Sequence, residues 1–322
     1  MKRLLWYFFT LFILITSTTI CYYFYTENNK NDESSINYFT CEYEQYFANR
    51  VPENPMFSIV LSTYNRADYL PRAICSVLAQ QYTNFEFIII DDGSSDNTEQ
   101  VVNKFAKKDK RIRYIKNEQN SGLVYSLNRG VNLAKGKYIT RLDDDDYLFP
   151  EFFVEYVKFI DKYPDTVLIY SLPVSVKDNG DISEILTHSY RNLSEIDVFS
   201  INSVPNIGAT LKKDFLVKNN LTYNEKYKAA EDYKLIADIL VNGGKIRKLD
   251  KILTGYRIHK TNGKKYENNR RLNSRRIQGQ LKKFFSDKAT SFDCETYKGL
   301  NDKIYQVFTK EQVEDAIKKY CR

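Results

Sequence analysis

The sequence predicts an α/β domain built on a mostly parallel sheet, and three observations point there. Short, continuously apolar runs of the kind buried on both faces of a sheet alternate with stretches whose apolar residues recur at helical spacing. The order is strand, helix, strand, helix. Polar clusters follow three of the runs, at Ser62-Thr63-Tyr64-Asn65, at Asp91-Asp92 and at Asp143-Asp144-Asp145-Asp146. In parallel α/β sheets, that carboxyl edge is where ligands bind.

The elements follow in chain order. After Met1-Lys2-Arg3, residues Leu4 to Thr26 carry no charged side chain, and at about 1.5 Å per residue they span roughly a 30 Å hydrocarbon core. Residues 1–26 therefore read as a cytoplasmic tip and a transmembrane anchor rather than a cleaved leader, whose apolar region is only about 7–15 residues and ends in small residues. Tyr22, Tyr23 and Tyr25 suit the interfacial belt. Lys2 and Arg3 precede the run while Glu27, Lys30, Asp32 and Glu33 follow it, so the positive-inside bias places the amino terminus in the cytoplasm. Residues 27–55, polar and without apolar period, read as a stem ended by Pro52 and Pro55. A catalytic-size domain is expected over 56–262.

Within it, Ser58 to Ser62 predicts the first strand, and Leu70, Ile74, Val77 and Leu78 mark a helix. Phe85 to Ile90 predicts the second strand, with a helix marked by Val101, Val102 and Phe105 behind it. Asp96 suits a cap for that helix. Ile112 to Ile115 predicts the third strand; Leu123, Leu127, Val131 and Ala134 line the next helix, ended by Gly136; Lys137 to Leu142 predicts the fourth strand. Glu231-Asp232 precede a helix with Leu235, Ile236, Ile239 and Leu240 as its stripe. Residues 263–322 read as a basic helical extension, carrying Lys264, Lys265, Arg270, Arg271, Arg275, Arg276, Lys282 and Lys283.

Composition narrows the class. With 322 residues, 43% apolar and 28% charged, the chain can bury a sizeable core and is neither disordered nor a disulfide-stapled miniature. Its net charge of +7 favours an anionic partner without choosing one. Nucleic acid is disfavoured, because no groove-reading motif or stacking platform accompanies the basic residues. Five scattered cysteines give no thiol metal site, and their pairing cannot be read from spacing.

Four consecutive carboxylates repel one another, and at a buried sheet edge a divalent cation relieves that repulsion. An all-oxygen, carboxylate-rich site suits magnesium or manganese. The alternative is a solvated acidic turn. For Glu231-Asp232 the alternative is negative charge stabilised by a helix start.

Read together, these motifs resemble the inverting family 2 glycosyltransferases of the GT-A fold, which transfer a sugar from a nucleotide diphosphate. The resemblance covers roughly Phe57 to His259. It rests on Ser-Ile-Val-Leu-Ser-Thr-Tyr-Asn-Arg at 58–66, Phe-Glu-Phe-Ile-Ile-Ile-Asp-Asp-Gly-Ser-Ser-Asp at 85–96, Asn-Ser-Gly at 120–122, Gly-Lys-Tyr-Ile-Thr-Arg-Leu-Asp-Asp-Asp-Asp at 136–146 and Glu-Asp at 231–232. It implies that Ser62 and Tyr64 contact the nucleotide, and that Asp92, or else Asp91, accepts a hydrogen bond from the base. It implies an Asp-x-Asp motif, Asp143 and Asp145, in which Asp145 is the first and Asp143 the second candidate ligand of a divalent metal, manganese or magnesium, and Asp143 or Asp144 faces the ribose. The all-Asp run leaves that register open by one residue. Asp232, with Glu231 as second candidate, matches the general base. Tyr256-Arg257-Ile258-His259 resembles a family segment whose histidine approaches the metal or diphosphate; the alternative is an ordinary hydrogen-bonded His at a strand end. Asn262 stands where the family often has Ser or Thr, which weakens transfer of roles to the following loop.

The implied donor is a nucleotide-diphospho-sugar, uridine-linked by family habit, and the implied acceptor is a hydroxyl of a glycan, protein or lipid. Little is legible from Val167 to Tyr227, where specificity would lie. The basic extension reads as a solvated face, with a membrane surface or an acceptor as alternative partner. Asn192-Leu193-Ser194 and Asn220-Leu221-Thr222 are glycosylation sequons, and a Golgi or ER lumenal location is expected from the orientation and from where nucleotide sugars are supplied. Two rivals remain open: a sugar-nucleotide nucleotidyltransferase, which needs a Gly-rich basic loop where this chain has Ser62-Thr63-Tyr64-Asn65, and a membrane-tethered sugar-nucleotide-binding protein without catalysis.

Overall fold

In the computed structural model, the described residues are 49–177, 182–183, 198, 202, 204–259, 267–285 and 301–320. Strands β1 (Phe57–Thr63), β2 (Phe85–Asp91), β3 (Ile112–Lys116) and β4 (Tyr138–Asp143) lie within a residue or two of their expected bounds. Helices α1 (Leu70–Leu78), α2 (Thr98–Lys108) and α3 (Leu123–Leu133) lie between them and carry the apolar residues that mark them, with Ala134 just past the end of α3. After β4 come β5 (Tyr147–Leu148), α4 (Phe152–Lys162), β6 (Thr166–Lys177), β7 (Ile182–Ser183), β8 (Thr210–Lys212), α5 (Lys213–Lys218), α6 (Glu231–Val241) and β9 (Lys245–Ile258). Helix α7 (Glu267–Phe285), a 3-10 turn at Asp302–Gln306 and α8 (Lys310–Tyr320) complete the described chain.

The strands form one sheet in the order β3-β2-β1-β4-β8-β6-β9-β5, with β7 beside β6. Its first half is parallel, as the alternation of elements predicts. Its second half is mixed: β8 lies antiparallel to both β4 and β6, β5 to β9 and β7 to β6, while the long strands β6 and β9 are parallel.

Helices cover both faces of the sheet. Phe57, Ile59 and Leu61 of β1, with Phe85, Phe87 and Ile89 of β2, pack against α1, α2 and α4. The alternate residues Val60, Ile88 and Ile90 pack on the other face with α3, α6 and the carboxyl-terminal helices. This two-sided burial explains why β1 and β2 read as unbroken apolar runs. Each fully buried large side chain contributes roughly 1.5–3 kcal/mol. Gly136 permits a close crossing before β4, since a Cβ there would meet the Ser58 backbone nitrogen at 2.6 Å.

The anchor expected at 1–26, the stem to residue 48 and the sequon at Asn192 lie outside the described residues. Among the described residues, no helix is long and apolar enough to cross a membrane. The basic segment does form helix α7, whose Ile277, Leu281 and Phe285 enter the same core as α6. Cys75, buried on α1, is disulfide-bonded, and the other four cysteines lie outside the described residues.

Candidate active site

Sheet register assembles the site. Ser62 lies opposite Asp143, Thr63 opposite Asp91 and Asp91 opposite Lys116, so the ends of β1 to β4 form one edge. Two antiparallel steps, β4 to β8 and β8 to β6, restore the strand direction, and β9 follows β6 in parallel. The carboxyl end of β9 therefore delivers His259 to the edge that carries the carboxylates.

The loops after β1 and β2 are tied together. Asn65, held at φ +51°, donates its backbone N–H to the Ser94 hydroxyl at 2.9 Å and accepts from the Ser95 N–H at 2.8 Å. Asp96 accepts from the backbone of Thr98 at 3.0 Å and of Ala67 at 3.1 Å, so it caps α2 and braces the neighbouring loop. Tyr64 is 45% exposed beside the half-buried Ser62. Asp91 accepts from Ser94 N–H at 2.8 Å and from the Tyr114 hydroxyl at 2.5 Å; burial and that bond raise the Tyr114 pKa, so the phenol keeps its proton. Asp92 accepts four hydrogen bonds, from Asn117 Nδ2, Ser126 Oγ and the N–H groups of Ser121 and Gly122, at 2.7–2.9 Å. A carboxylate offers about four acceptor positions, so Asp92 is saturated and Asp91 keeps spare capacity.

The four acidic residues after β4 separate into different environments. Asp146 is 1% exposed and accepts from the Arg257 N–H at 2.9 Å, pinning the turn to β9; burial first, then Asp145, raises its pKa well above the usual range. Asp144 is pushed up to about 7 by burial and by Asp145, against the opposing pull of Arg66. Asp145 Oδ2 meets His259 Nε2 at 2.8 Å and Arg66 Nη1 at 2.5 Å, and Arg66 also lies 3.5 Å from Asp144. The Tyr69 ring backs this group, 4.9 Å from the His259 ring and under the guanidinium groups of Arg66 and Arg257.

Asp143 points elsewhere. Arg141, 5% exposed on β4, donates through Nε to Asp143 at 2.9 Å and through Nη1 to Glu231 at 3.2 Å, over the Tyr223 ring. Burial opposes its charge, but Asp143 and Glu231 outweigh burial and hold it protonated. Burial raises the Glu231 carboxyl despite the lowering pull of Arg141. Both acids open α6, where the helix start favours negative charge. Asp232 is half-buried, with Asn202 Nδ2 donating to Oδ2 at 2.7 Å. Arg141 thus bridges the acidic strand end to the helix carrying Glu231 and Asp232.

The residues fit a divalent cation. Asp145 oxygen and His259 nitrogen already lie 2.8 Å apart; the carboxylate oxygen suits manganese or magnesium, and of the two ions the imidazole nitrogen suits the transition metal, manganese. Among the described residues no group of three or more His, Cys, Asp or Glu side chains is arranged to hold a metal ion.

Residues 58–227 match the profile described as Glycosyl transferase family 2. The chain belongs to that family. It is a glycosyltransferase. An uncharacterized glycosyltransferase of Methanocaldococcus jannaschii is 30% identical over 208 residues, 64% of this chain and 72% of that protein. The Escherichia coli protein described as UDP-Glc:alpha-D-GlcNAc-diphosphoundecaprenol beta-1,3-glucosyltransferase is 32% identical, covering 63% of this glycosyltransferase and 78% of its own length. A Pasteurella multocida hyaluronan synthase is 32% identical, but only 22% of its length is covered. In fold, S. aureus TarS, solved with UDP-GlcNAc, matches with a TM-score of 0.56 at 22% identity over 81% of this chain and 83% of that one. The Pyrobaculum calidifontis mannosyltransferase solved with GDP-Man and Mn2+ also gives 0.56, at 15% identity over 72% and 67%. The fold is shared with both solved structures.

Sequence reasoning named Asp145, His259 and the carboxylates but missed Arg66, Arg141, Tyr69 and Asn202. Arg66 and Arg141 stood inside motifs already quoted, and the unbalanced charge of the Asp run was the signal that a cation must sit nearby. Asn202 had no such signal, because the segment around it carries no recognisable pattern.

Proposed function

We propose that this glycosyltransferase is an inverting, cation-dependent enzyme that uses a nucleotide-diphospho-sugar, uridine-linked, and a hydroxyl acceptor on a glycan, protein or lipid. The observation that carries the reading is the single edge on which Asp145 and His259 lie together while Arg141 ties Asp143 to the first turn of α6. The nucleotide-sugar relatives in the same family support the donor class.

In this reading Ser62 and Tyr64 receive the nucleoside, Asp91 or Asp92 accepts from the base, and Asp143 or Asp144 faces the ribose. For Asp92 that role would cost one of its four internal contacts. Asp145 and His259 would hold manganese or magnesium, which supplies Lewis-acid stabilisation of the leaving diphosphate. Asp232 takes the acceptor hydroxyl proton as the new C–O bond forms and the anomeric bond to the diphosphate breaks, with inversion. Glu231, bound to buried Arg141, is the second candidate and is less free to accept a proton. A nucleotidyltransferase is disfavoured because the β1 loop lacks the required Gly-rich basic sequence.

The test is a donor screen on the full chain, reading released nucleoside diphosphate with manganese, magnesium or chelator. Activity is expected with one uridine-linked sugar, lost in chelator, and reduced by at least about 100-fold in Asp145→Ala and Asp232→Asn. Full activity in either variant removes that role; donor binding without turnover would favour the silent binding protein.

The anchor and a Golgi or ER lumenal location belong to the same proposal. The Cys75 disulfide supports an oxidising compartment, and Asn220 is exposed. Loss of mass after glycosidase treatment of the expressed protein is the expected outcome; an unmodified Asn220 sequon in a eukaryotic host would count against the lumen.

A further inference from the structure

We infer that Arg66 is the internal counter-ion of the cation site, holding Asp144 and Asp145 together until a divalent cation displaces it. The inference rests on the cation-dependent reading above and adds a residue that reading does not use. Arg66 Nη1 and His259 Nε2 approach the same oxygen, Asp145 Oδ2, at 2.5 and 2.8 Å. A cation bound between Asp145 Oδ2 and His259 Nε2 takes the place of their mutual contact, and the Arg66 guanidinium, 2.5 Å from the same oxygen, then opposes it charge against charge. Arg66 also spans Asp145 and Asp144, the two carboxylates whose mutual repulsion a cation would relieve.

Arg66 is also built to leave. It lies in the loop between β1 and α1, its side chain is 29% exposed, and its other support is the face of Tyr69, 5.3 Å away. By contrast Arg141, which serves the neighbouring Asp143, is 5% exposed and locked between two carboxylates. The two arginines divide the work: one is fixed, and the other is exchangeable. A diphosphate arriving with the cation offers the displaced guanidinium new anionic oxygens, since Arg pairs readily with phosphate. The cation alone must break the Arg66 pairs without that compensation. Cation affinity is therefore weak before the donor arrives.

The test is a manganese titration of the full chain without nucleotide, read by loss of the free Mn2+ electron paramagnetic resonance signal. Removing the competing charge in Arg66→Gln or Arg66→Met should tighten Mn2+ binding about tenfold, the equivalent of one partly exposed charged pair. Arg66→Lys, which keeps the charge but not the planar fork, should gain less than either neutral variant. Adding Asp145→Ala to Arg66→Gln should abolish the gain, which places it at this site. Unchanged or weaker binding in both neutral variants, a gain that survives Asp145→Ala, or no Mn2+ binding by any variant overturns the proposal. Turnover is measured separately: sugar transfer with no Mn2+ gain sinks the counter-ion role alone, whereas Mn2+ gain without transfer sinks the catalytic reading alone.

Discussion

Asp144 shows how one side chain reports the electrostatics of the whole acidic run. Its carboxyl is raised to about 7, chiefly by burial and then by Asp145. An unfolded Asp titrates near 3.9, so between about pH 4 and pH 7 the folded chain holds a proton that the unfolded chain has lost. Stability from this group is thus full below about pH 4 and declines as pH rises through 7. Asp144→Asn cannot ionise. In chelator, the variant should gain stability relative to the unaltered chain across pH 4 to 8, by an amount on the order of a few kcal/mol, and level off above that. Denaturant melts at several pH values measure it, and a difference independent of pH would refute the assignment. Saturating Mn2+ should shrink the gap, because the cation stabilises the ionised run.

Secondary-structure elements decide which of these residues meet. The parallel half of the sheet was legible because each buried strand is a continuous apolar run and each helix shows its stripe, as in Phe85–Asp91 followed by Val101 and Val102. The antiparallel half was not, since the three residues of β8 carry no period and find their partners through β4 and β6. The acidic strand end and the Glu231-Asp232 helix start were both visible in the sequence. That they are joined by Arg141 was not, because the pairing spans 90 positions. Arg141→Met would leave Glu231 buried without its countercharge, at a cost of about 3–5 kcal/mol. Glu231→Gln removes one of the two acids bound to Arg141. If the bridge holds β4 to α6, the double variant should lose less stability than the sum of the two single losses, by about 0.5–3 kcal/mol in a thermodynamic cycle. Strict additivity would show that the two side chains do not act together.

The molecule as a whole positions its candidate base through the carboxyl-terminal helices. Helix α6 carries Asp232 at its amino end, and its inner residues Leu235, Ile236, Ile239 and Leu240 share one core with Ile277, Leu281 and Phe285 of α7 and with Ile304, Val307, Phe308 and Val313 beyond it. The segment that reads in sequence as a basic extension is therefore also a wall behind α6, its charges outward and every fourth residue from Asn273 to Phe285 turned in. Leu281 is fully buried there. Leu281→Ala should cost about 2–5 kcal/mol, and for a domain of this size each kcal/mol lowers the melting temperature by roughly 2–4 °C. A loosened α6 should also slow turnover, while the Mn2+ binding proposed at Asp145 and His259 stays unchanged. Equal losses of cation binding and turnover would mean instead that the carboxyl-terminal helices support the entire sheet edge rather than the acceptor side alone.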